Sequence, residues 1–166
     1  MPQRPPFDPH AILAALERRR VAYVVIGSFA RVIRGAEELP DGLDISPSLR
    51  PQNLERLEEA LADLDAVGAG GARISVDDNP DAVIRAESPA GEVKIVRDPE
   101  GTRGYDDLRR AATREPLGRG LRPSVASTGD LARMLAALGH EKDRPKLQAL
   151  RQVAELERSL GPELTL

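Results

Sequence analysis

The chain has 166 residues, a net charge of −3, two tyrosines, two phenylalanines and no cysteine. Its length is sufficient for one domain with one hydrophobic core, and the missing cysteines exclude disulfide bonds and thiolate metal sites. The negative charge excludes a global basic field for nucleic acid but leaves a local basic patch open, and with so few aromatic rings we expect no base-stacking surface. No apolar run approaches the roughly 20 residues that span a bilayer, and no signal-peptide core is present, so we expect a cytoplasmic protein without a membrane partner.

Five elements are predicted in the first half of the chain. Short apolar runs between turn residues are typical of buried strands, and leucines at helical spacing are typical of amphipathic helices. Asp beside Pro is typical of a helix N-cap and first helical position. In chain order we predict a helix from Asp8 and Pro9, a strand over residues 23–26, a short helix over 29–33, a strand over 42–46 and a helix over 51–64.

The second half of the chain contains patterns typical of further strands, turns and helices. A Ser-Pro-Ala-Gly turn separates two strand-like runs, and a Gly-Arg-Gly segment is typical of a hairpin. Ser127 with Asp130 resembles a capping box. In chain order we predict a short strand over residues 73–76, a turn over 77–81, strands over 82–85 and 91–96, a helix over 105–112, a hairpin around 118–120, a helix from Ser127 to Gly139 and a last helix over 143–160.

The alternation of helices and strands predicts an α/β (α+β) fold, with a mixed sheet flanked by helices. We expect a flexible N-terminus over residues 1–8, a single domain over 9–160 and a tail over 161–166. The C-terminal helices are expected within residues 127–160 of that domain.

The residues Gly27-Ser28, followed after thirteen residues by Gly42-Leu43-Asp44-Ile45, resemble the G-[G/S] … D-x-D signature of the nucleotidyltransferase superfamily. The segments PQNLERLEEALADLDA, DPEGTRGYDDLRRAA and VASTGDLARMLAALGHEKDRPKLQALRQV follow in the order found in small bacterial AbiEii-like proteins. The resemblance covers most of residues 21–158. It implies a nucleotidyltransferase-like mixed sheet with C-terminal helices.

The resemblance also implies roles for residues at the signature. Gly27 and Ser28 would bind the phosphates of a nucleotide, at a helix N-terminus where anions are favoured. Asp44 would be the second aspartate of the signature. The first aspartate falls on Gly42, and Asp41 beside it is expected to point in another direction.

The third acidic residue of the family falls on Lys94, and Glu92 lies two residues away on the same face. Magnesium needs several anionic oxygens, so a lone aspartate chelates it poorly. We therefore expect Lys94 to replace the metal and to form an ion pair with Asp44 across neighbouring strands. The alternative is that Lys94 is an ordinary exposed lysine of a strand.

Three functions follow from this pattern. The first is a catalytically degenerate nucleotidyltransferase-like protein that binds a nucleotide, an RNA or a protein partner. The second is an active, toxin-type nucleotidyltransferase that uses Mg²⁺ and a nucleoside triphosphate to modify RNA or protein, with Asp41, Asp44 and Glu92 at the metal. The third is a non-enzymatic binding or assembly module, such as half of a toxin–antitoxin-like pair, without a cofactor. The sequence predicts no oligomeric state.

Overall fold

A computed structural model describes residues 6–77, 79 and 81–160. The strands are β1 (Tyr23–Ile26), β2 (Gly42–Pro47), β3 (Val83–Ser88), β4 (Gly91–Val96), β5 (Thr113–Arg114) and β6 (Ser124–Val125). The helices are α1 (Pro9–Arg18), α2 (Gly27–Ile33), α3 (Pro51–Asp63), α4 (Tyr105–Leu108), α5 (Thr128–Leu138) and α6 (Arg144–Leu160). Within the described part of the chain, no helix combines the length and the apolar character needed to cross a bilayer.

The six strands form one mixed sheet in the order β3-β4-β2-β1-β6-β5. The central pair, β1 and β2, is antiparallel, and each of its members has a parallel neighbour on its outer side, β6 beside β1 and β4 beside β2. Strands β3 and β5 complete the sheet as antiparallel edges. The predicted mixed sheet with flanking helices is confirmed.

The core is aliphatic because the chain has few aromatic residues to place there. Helices α1 and α3 contact each other, and their apolar stripes join the buried strand residues in one hydrophobic cluster. The largest side chains that these two helices bury are Ile12, Leu13, Leu16, Leu54, Leu57 and Leu61.

The strands beside β2 have two different faces. In β4, buried Val93 and Ile95 alternate with half-buried Glu92 and Lys94. In β3, buried residues likewise alternate with exposed ones, among which is Arg85. Because successive side chains of a strand point to opposite faces, one face of this half of the sheet is apolar and the other carries charge.

Local signals located most helix and turn boundaries correctly. The Asp8 side chain accepts a hydrogen bond from the Ala11 amide at 3.2 Å, and Ser127 Oγ accepts one from the Asp130 amide at 3.0 Å. Gly139 ends α5 in the left-handed conformation, with φ of 67°. The predicted hairpin is confirmed by backbone bonds across residues 117–121.

Four predicted elements differ from the structure by two residues or more. Helix α2 begins at Gly27 instead of residue 29. Residues 73–76 form no strand, because the Val76 amide donates to the Glu58 carboxylate at 2.8 Å instead of entering a ladder. Strand β3 continues to Ser88, where the Ser88 hydroxyl donates to the Gly91 carbonyl and closes the turn. The helix predicted over 105–112 ends at Leu108. Residues 1–5, the tail 161–166, and Asp78 and Pro80 of the predicted turn lie outside the described residues.

Asn53 joins the ends of β1 and β2 to helix α3. Its side chain accepts from the Ala22 amide at 2.7 Å and donates to the carbonyls of Ala22 and Ser48 at 2.9 and 2.8 Å. We expect Asn53→Ala to lower the free energy of unfolding by about 2–3 kcal/mol, because buried backbone groups would lose their partners. Urea denaturation measures this change. Gln52→Ala, at the exposed neighbouring position, should change stability by no more than about 0.5 kcal/mol; equal effects of the two variants would contradict the bridging role.

Candidate functional site

Charged side chains converge where β2, β4 and β3 lie side by side. Across the parallel pair β2–β4, Asp44 lies opposite Lys94 and Gly42 lies opposite Glu92. Across the antiparallel pair β3–β4, Lys94 lies opposite Arg85. The structure therefore places the predicted residues Asp44, Glu92 and Lys94 on one charged face, with Arg85 added.

The Gly-Ser turn lies against Asp44. Asp44 is the register partner of Ile26, the last residue of β1, and α2 begins at the next residue, Gly27. A Cβ atom added to Gly27 would lie 2.4 Å from Asp44 Oδ2, and Gly27 has a φ of 74°. Only glycine fits this position without strain or collision. The turn thus brings Gly27 to Asp44, with half-buried Ser28 next in the helix.

The carboxylate of Asp44 has no hydrogen bond or ion pair to any residue that the structure describes. Burial raises the pKa of Asp44, and the positive charge of Lys94 acts in the opposite direction. The negative charge of Glu92 raises this pKa further, whereas Arg31 and Arg85 lower it. Asp44 is consequently a partly desolvated carboxylate that nearby charges influence but do not contact.

Lys94 contacts Glu92 instead of Asp44. Its Nζ lies 3.7 Å from Glu92 Oε1, and Arg85 Nη1 lies 3.6 Å from the same oxygen. Between Lys94 and Asp44 the described residues contain no ion pair, so the predicted ion pair is wrong as a direct contact. The physical reason is a competing carboxylate: Glu92 is two residues away on the same face of the same strand. The Lys94 side chain is 31% exposed, so it is not an ordinary surface lysine either.

Sequence reasoning missed a buried ion pair near this face. Arg31 of α2 binds Glu38 through two hydrogen bonds of 2.7 and 2.9 Å, and their side chains are only 13% and 9% exposed. Lys146 of α6 lies 3.5 Å from Glu38. The hydrogen bond from Arg31 holds the pKa of Glu38 below its ordinary value. These contacts fix the loop before β2 to α2 and α6, and no local sequence signal predicts a pairing across that loop.

The residues beside Asp44 do not fit a magnesium ion. The described chain contains no group of three or more His, Asp or Glu residues that could hold a metal. A Cβ atom at Gly42 would lie 2.7 Å from the Glu92 carbonyl oxygen, so β4 fills the space that a side chain at this position would need. Lys94, where the resemblance expects a third acidic residue, carries an ammonium group, and Asp41 is exposed, immediately before β2. One free carboxylate is a poor ligand set for this cation.

Comparison with known proteins gives structural but not sequence relatives. No protein-family model matches the chain, and no curated protein sequence matches it. Among solved structures, a protein of Thermotoga maritima described as a nucleotidyltransferase is similar with a TM-score of 0.60, at 15% identity, covering 87% of this chain and 90% of that one. The lincomycin-bound lincosamide adenylyltransferase LnuA is similar with a TM-score of 0.59, at 17% identity, over 89% and 99% of the two chains. The antibiotic-resistance factor ANT(2″)-Ia, in complex with adenylyl-2″-tobramycin, gives 0.58 at 17% identity over 93% and 88%. The chain has the fold of the nucleotidyltransferases.

Proposed function

We propose that this protein is a nucleotidyltransferase-like protein that does not catalyse metal-dependent transfer. In this proposal the charged face beside Asp44 binds a nucleotide, an RNA or a protein partner, as in a degenerate member of the AbiEii-like group. The observation that carries the proposal is the composition of the three signature positions, which hold Gly42, Asp44 and Lys94.

Transfer of a nucleotidyl group on two metals needs several carboxylates, which hold the cations about 4 Å apart and neutralise developing charge. Here one position has no side chain, and another carries a positive charge that repels a metal. Glu92 is the nearest spare carboxylate, but Lys94 and Arg85 both lie within 4 Å of its Oε1 atom. The Gly-Ser turn still lies against Asp44, which supports binding without supporting transfer.

A second candidate is an active, magnesium-dependent nucleotidyltransferase of the toxin type. The unpaired carboxylate of Asp44 favours it, because a bound cation would supply the missing partner. Glu92 would then have to leave Lys94, and Asp41 would have to turn towards Asp44. A third candidate is an assembly module with no nucleotide role. Such a module would keep the fold, but its function would not depend on the charged residues beside Asp44.

Titration calorimetry with each nucleoside triphosphate, in Mg²⁺ or in EDTA, tests the proposal. We expect at least one nucleotide to bind with a dissociation constant that changes by less than about twofold between the two conditions. A parallel assay with labelled triphosphate should show no transfer to RNA or protein. Binding that requires Mg²⁺, or transfer that Asp44→Ala abolishes, would establish the second candidate instead. Absence of any nucleotide binding favours an RNA or protein partner.

A further inference from the structure

A small cavity lies at the other end of the β1–β2 pair from Asp44. Asp44 is the register partner of Ile26, the last residue of β1, whereas the cavity is lined by Ala22 and Ser48, just before β1 and just after β2. The N-terminus of α3 and helix α4 form its other walls. Its volume is about 230 Å³, below the range of about 300–1,000 Å³ that is typical of pockets for drug-sized ligands. The cavity therefore suits one small group and not a whole nucleotide.

Three arginines and one acidic residue line this cavity. Arg50 precedes α3, Arg56 lies in the second turn of that helix, and Arg109 follows α4. Arg109 pairs with Asp106 over 3.4 Å, but neither Arg50 nor Arg56 has an ion pair with any residue that the structure describes. Two positive charges are thus left over here, in a chain whose net charge is −3. This local surplus favours an anionic ligand.

The hydroxyl group of Ser48 lacks a partner at the same cavity. Ser48 is only 8% exposed, and its backbone amide and carbonyl are bonded to Ala22 and Asn53 at 3.0 and 2.8 Å. Its hydroxyl makes no hydrogen bond within the described part of the chain. The hydroxyls of Tyr23 and Ser46 are also unpartnered but fully enclosed, whereas that of Ser48 stays accessible. Because buried hydroxyl groups are normally hydrogen-bonded, a ligand in the cavity would supply the missing partner.

Helix α3 begins at this cavity without a side-chain cap. Its N-cap residue is Arg50, and its first residue, Pro51, has no amide hydrogen. The amides of Asn53 and Leu54 both donate to the Arg50 carbonyl, at 2.9 and 3.0 Å, which leaves the Gln52 amide without a described acceptor. The N-terminus of a helix attracts negative charge. The cavity thus offers a backbone amide, a hydroxyl and guanidinium groups as donors to one anion.

We propose that this cavity binds the phosphate group of a phosphate monoester, with its three arginines and the Ser48 hydroxyl as donors. Such a group carries a charge of about −1.5 to −2 at pH 7, which matches the two surplus positive charges. The planar fork of donors on arginine also matches the oxygens of a phosphate. A phosphodiester carries only one negative charge and should bind less well. This site is separate from the charged face beside Asp44, so the inference does not depend on the proposed function.

An NMR titration of ¹⁵N-labelled protein with phenyl phosphate, a monoester, and with dimethyl phosphate, a diester, tests this inference. We expect the amide signal of Gln52 to shift most, with a dissociation constant for phenyl phosphate below about 1 mM and one for the diester at least about fivefold higher. Arg56→Ala and Ser48→Ala should each weaken binding of phenyl phosphate by about fivefold or more, because each removes a donor to a charged group. Arg110→Ala, which removes an exposed arginine outside the cavity, should leave the affinity unchanged.

The possible results separate this inference from the proposed function. Shifts centred on Gly27 and Ser28, with an affinity unchanged in Arg56→Ala, would place the phosphate at the Gly-Ser turn and overturn the inference. Equal affinities for the two esters, or no binding of either, would overturn it as well. The calorimetric titration and the transfer assay decide the proposed function separately. Thermal denaturation of Ser48→Ala checks that a loss of affinity is not a loss of folding, and Arg56→Ala gives an independent measurement at an exposed position.

Discussion

Replacing Arg34 with alanine is expected to lower the free energy of unfolding by about 2–4 kcal/mol, because a mostly buried guanidinium donates four hydrogen bonds that would be lost. Arg34 follows α2 and is 14% exposed. Its guanidinium donates to the carbonyls of Ala126 and Val125 at 3.0 and 2.9 Å, and to Thr113 Oγ1 and Glu115 at 2.8 and 2.7 Å. Truncation removes the Arg34 donor from all four acceptors, of which Glu115 Oε1 keeps a bond from the Thr113 hydroxyl at 2.7 Å.

The consequence should be localised as well as large, because these acceptors all lie in or beside β5 and β6. Urea denaturation measures the loss of stability, and amide hydrogen exchange should show that the Ala126 amide, which donates to Val25, loses protection. Arg34→Lys keeps the charge but not the planar fork of donors, so it should recover only part of the loss.

The matched control for Arg34→Ala is Arg109→Ala. Arg109 is 61% exposed, and its ion pair with Asp106, 84% exposed, is 3.4 Å long. Exposed pairs of this kind contribute little, so we expect a change below about 1 kcal/mol. If the two alanine variants lose the same stability, Arg34 does not hold β5 and β6 to the end of α2.

Such long-range contacts mark the limit of what this sequence can predict. Strands β1 and β2, helix α3 and the turns at Gly139 and 118–120 follow from local patterns of apolar, glycine and capping residues. The partner of Arg34 in contrast lies 81 residues away at Glu115, and no local pattern indicates it. The buried pair of Arg31 and Glu38 is missed for the same reason, because only the folded loop brings the two together.

The error at residues 73–76 has a related cause. Ile74 and Val76 are buried, as an alternating strand requires. Burial alone does not specify a ladder, and here a side chain, Glu58, accepts the bond from the Val76 amide. Apolar periodicity therefore predicted which residues are inside, but not which groups pair their backbone.

At the candidate site, the sequence indicated the neighbours but not their contacts. It placed Lys94 beside Asp44, and the register of β2 and β4 confirms that placement. The sequence could not show whether Lys94 pairs with Asp44 or with Glu92. That choice depends on the lengths and conformations of the side chains and on the second cation, Arg85. It also showed that Gly42 lacks a carboxylate without showing that β4 leaves no room for one.

Replacing Lys94 with aspartate is expected to create a divalent-cation site. The change removes the ammonium group, releases Glu92 from one of its two cations and places a second carboxylate directly opposite Asp44. Hard cations prefer such clusters of oxygen ligands. A titration with Mn²⁺, followed by its electron paramagnetic resonance signal, should show affinity at least about tenfold higher than that of the original chain.

Two control variants test whether the gain in Mn²⁺ affinity has a cause other than a new ligand beside Asp44. Lys142→Asp makes the same change of net charge at an exposed position, so a general increase in negative charge would raise cation binding there as well. Lys94→Met removes the repelling charge without adding a ligand and should give little binding. If Lys94→Asp binds Mn²⁺ no better than these controls, Asp44 and Glu92 are not oriented towards a common point.

The double variant with Gly42→Asp and Lys94→Asp tests whether the metal is excluded by the packing of β2 against β4 or by the missing carboxylate at Gly42. If composition were the only obstacle, the restored first carboxylate would tighten binding further. Because a Cβ atom at Gly42 would lie 2.7 Å from the backbone oxygen of Glu92, we expect no gain in Mn²⁺ affinity and a loss of about 1–3 kcal/mol in stability, as in other overpacked sites. Tighter binding at unchanged stability would instead show that β4 can move away from β2. In that case β2 and β4 lie close together only because Gly42 has no side chain, and their spacing does not prevent an aspartate at this position.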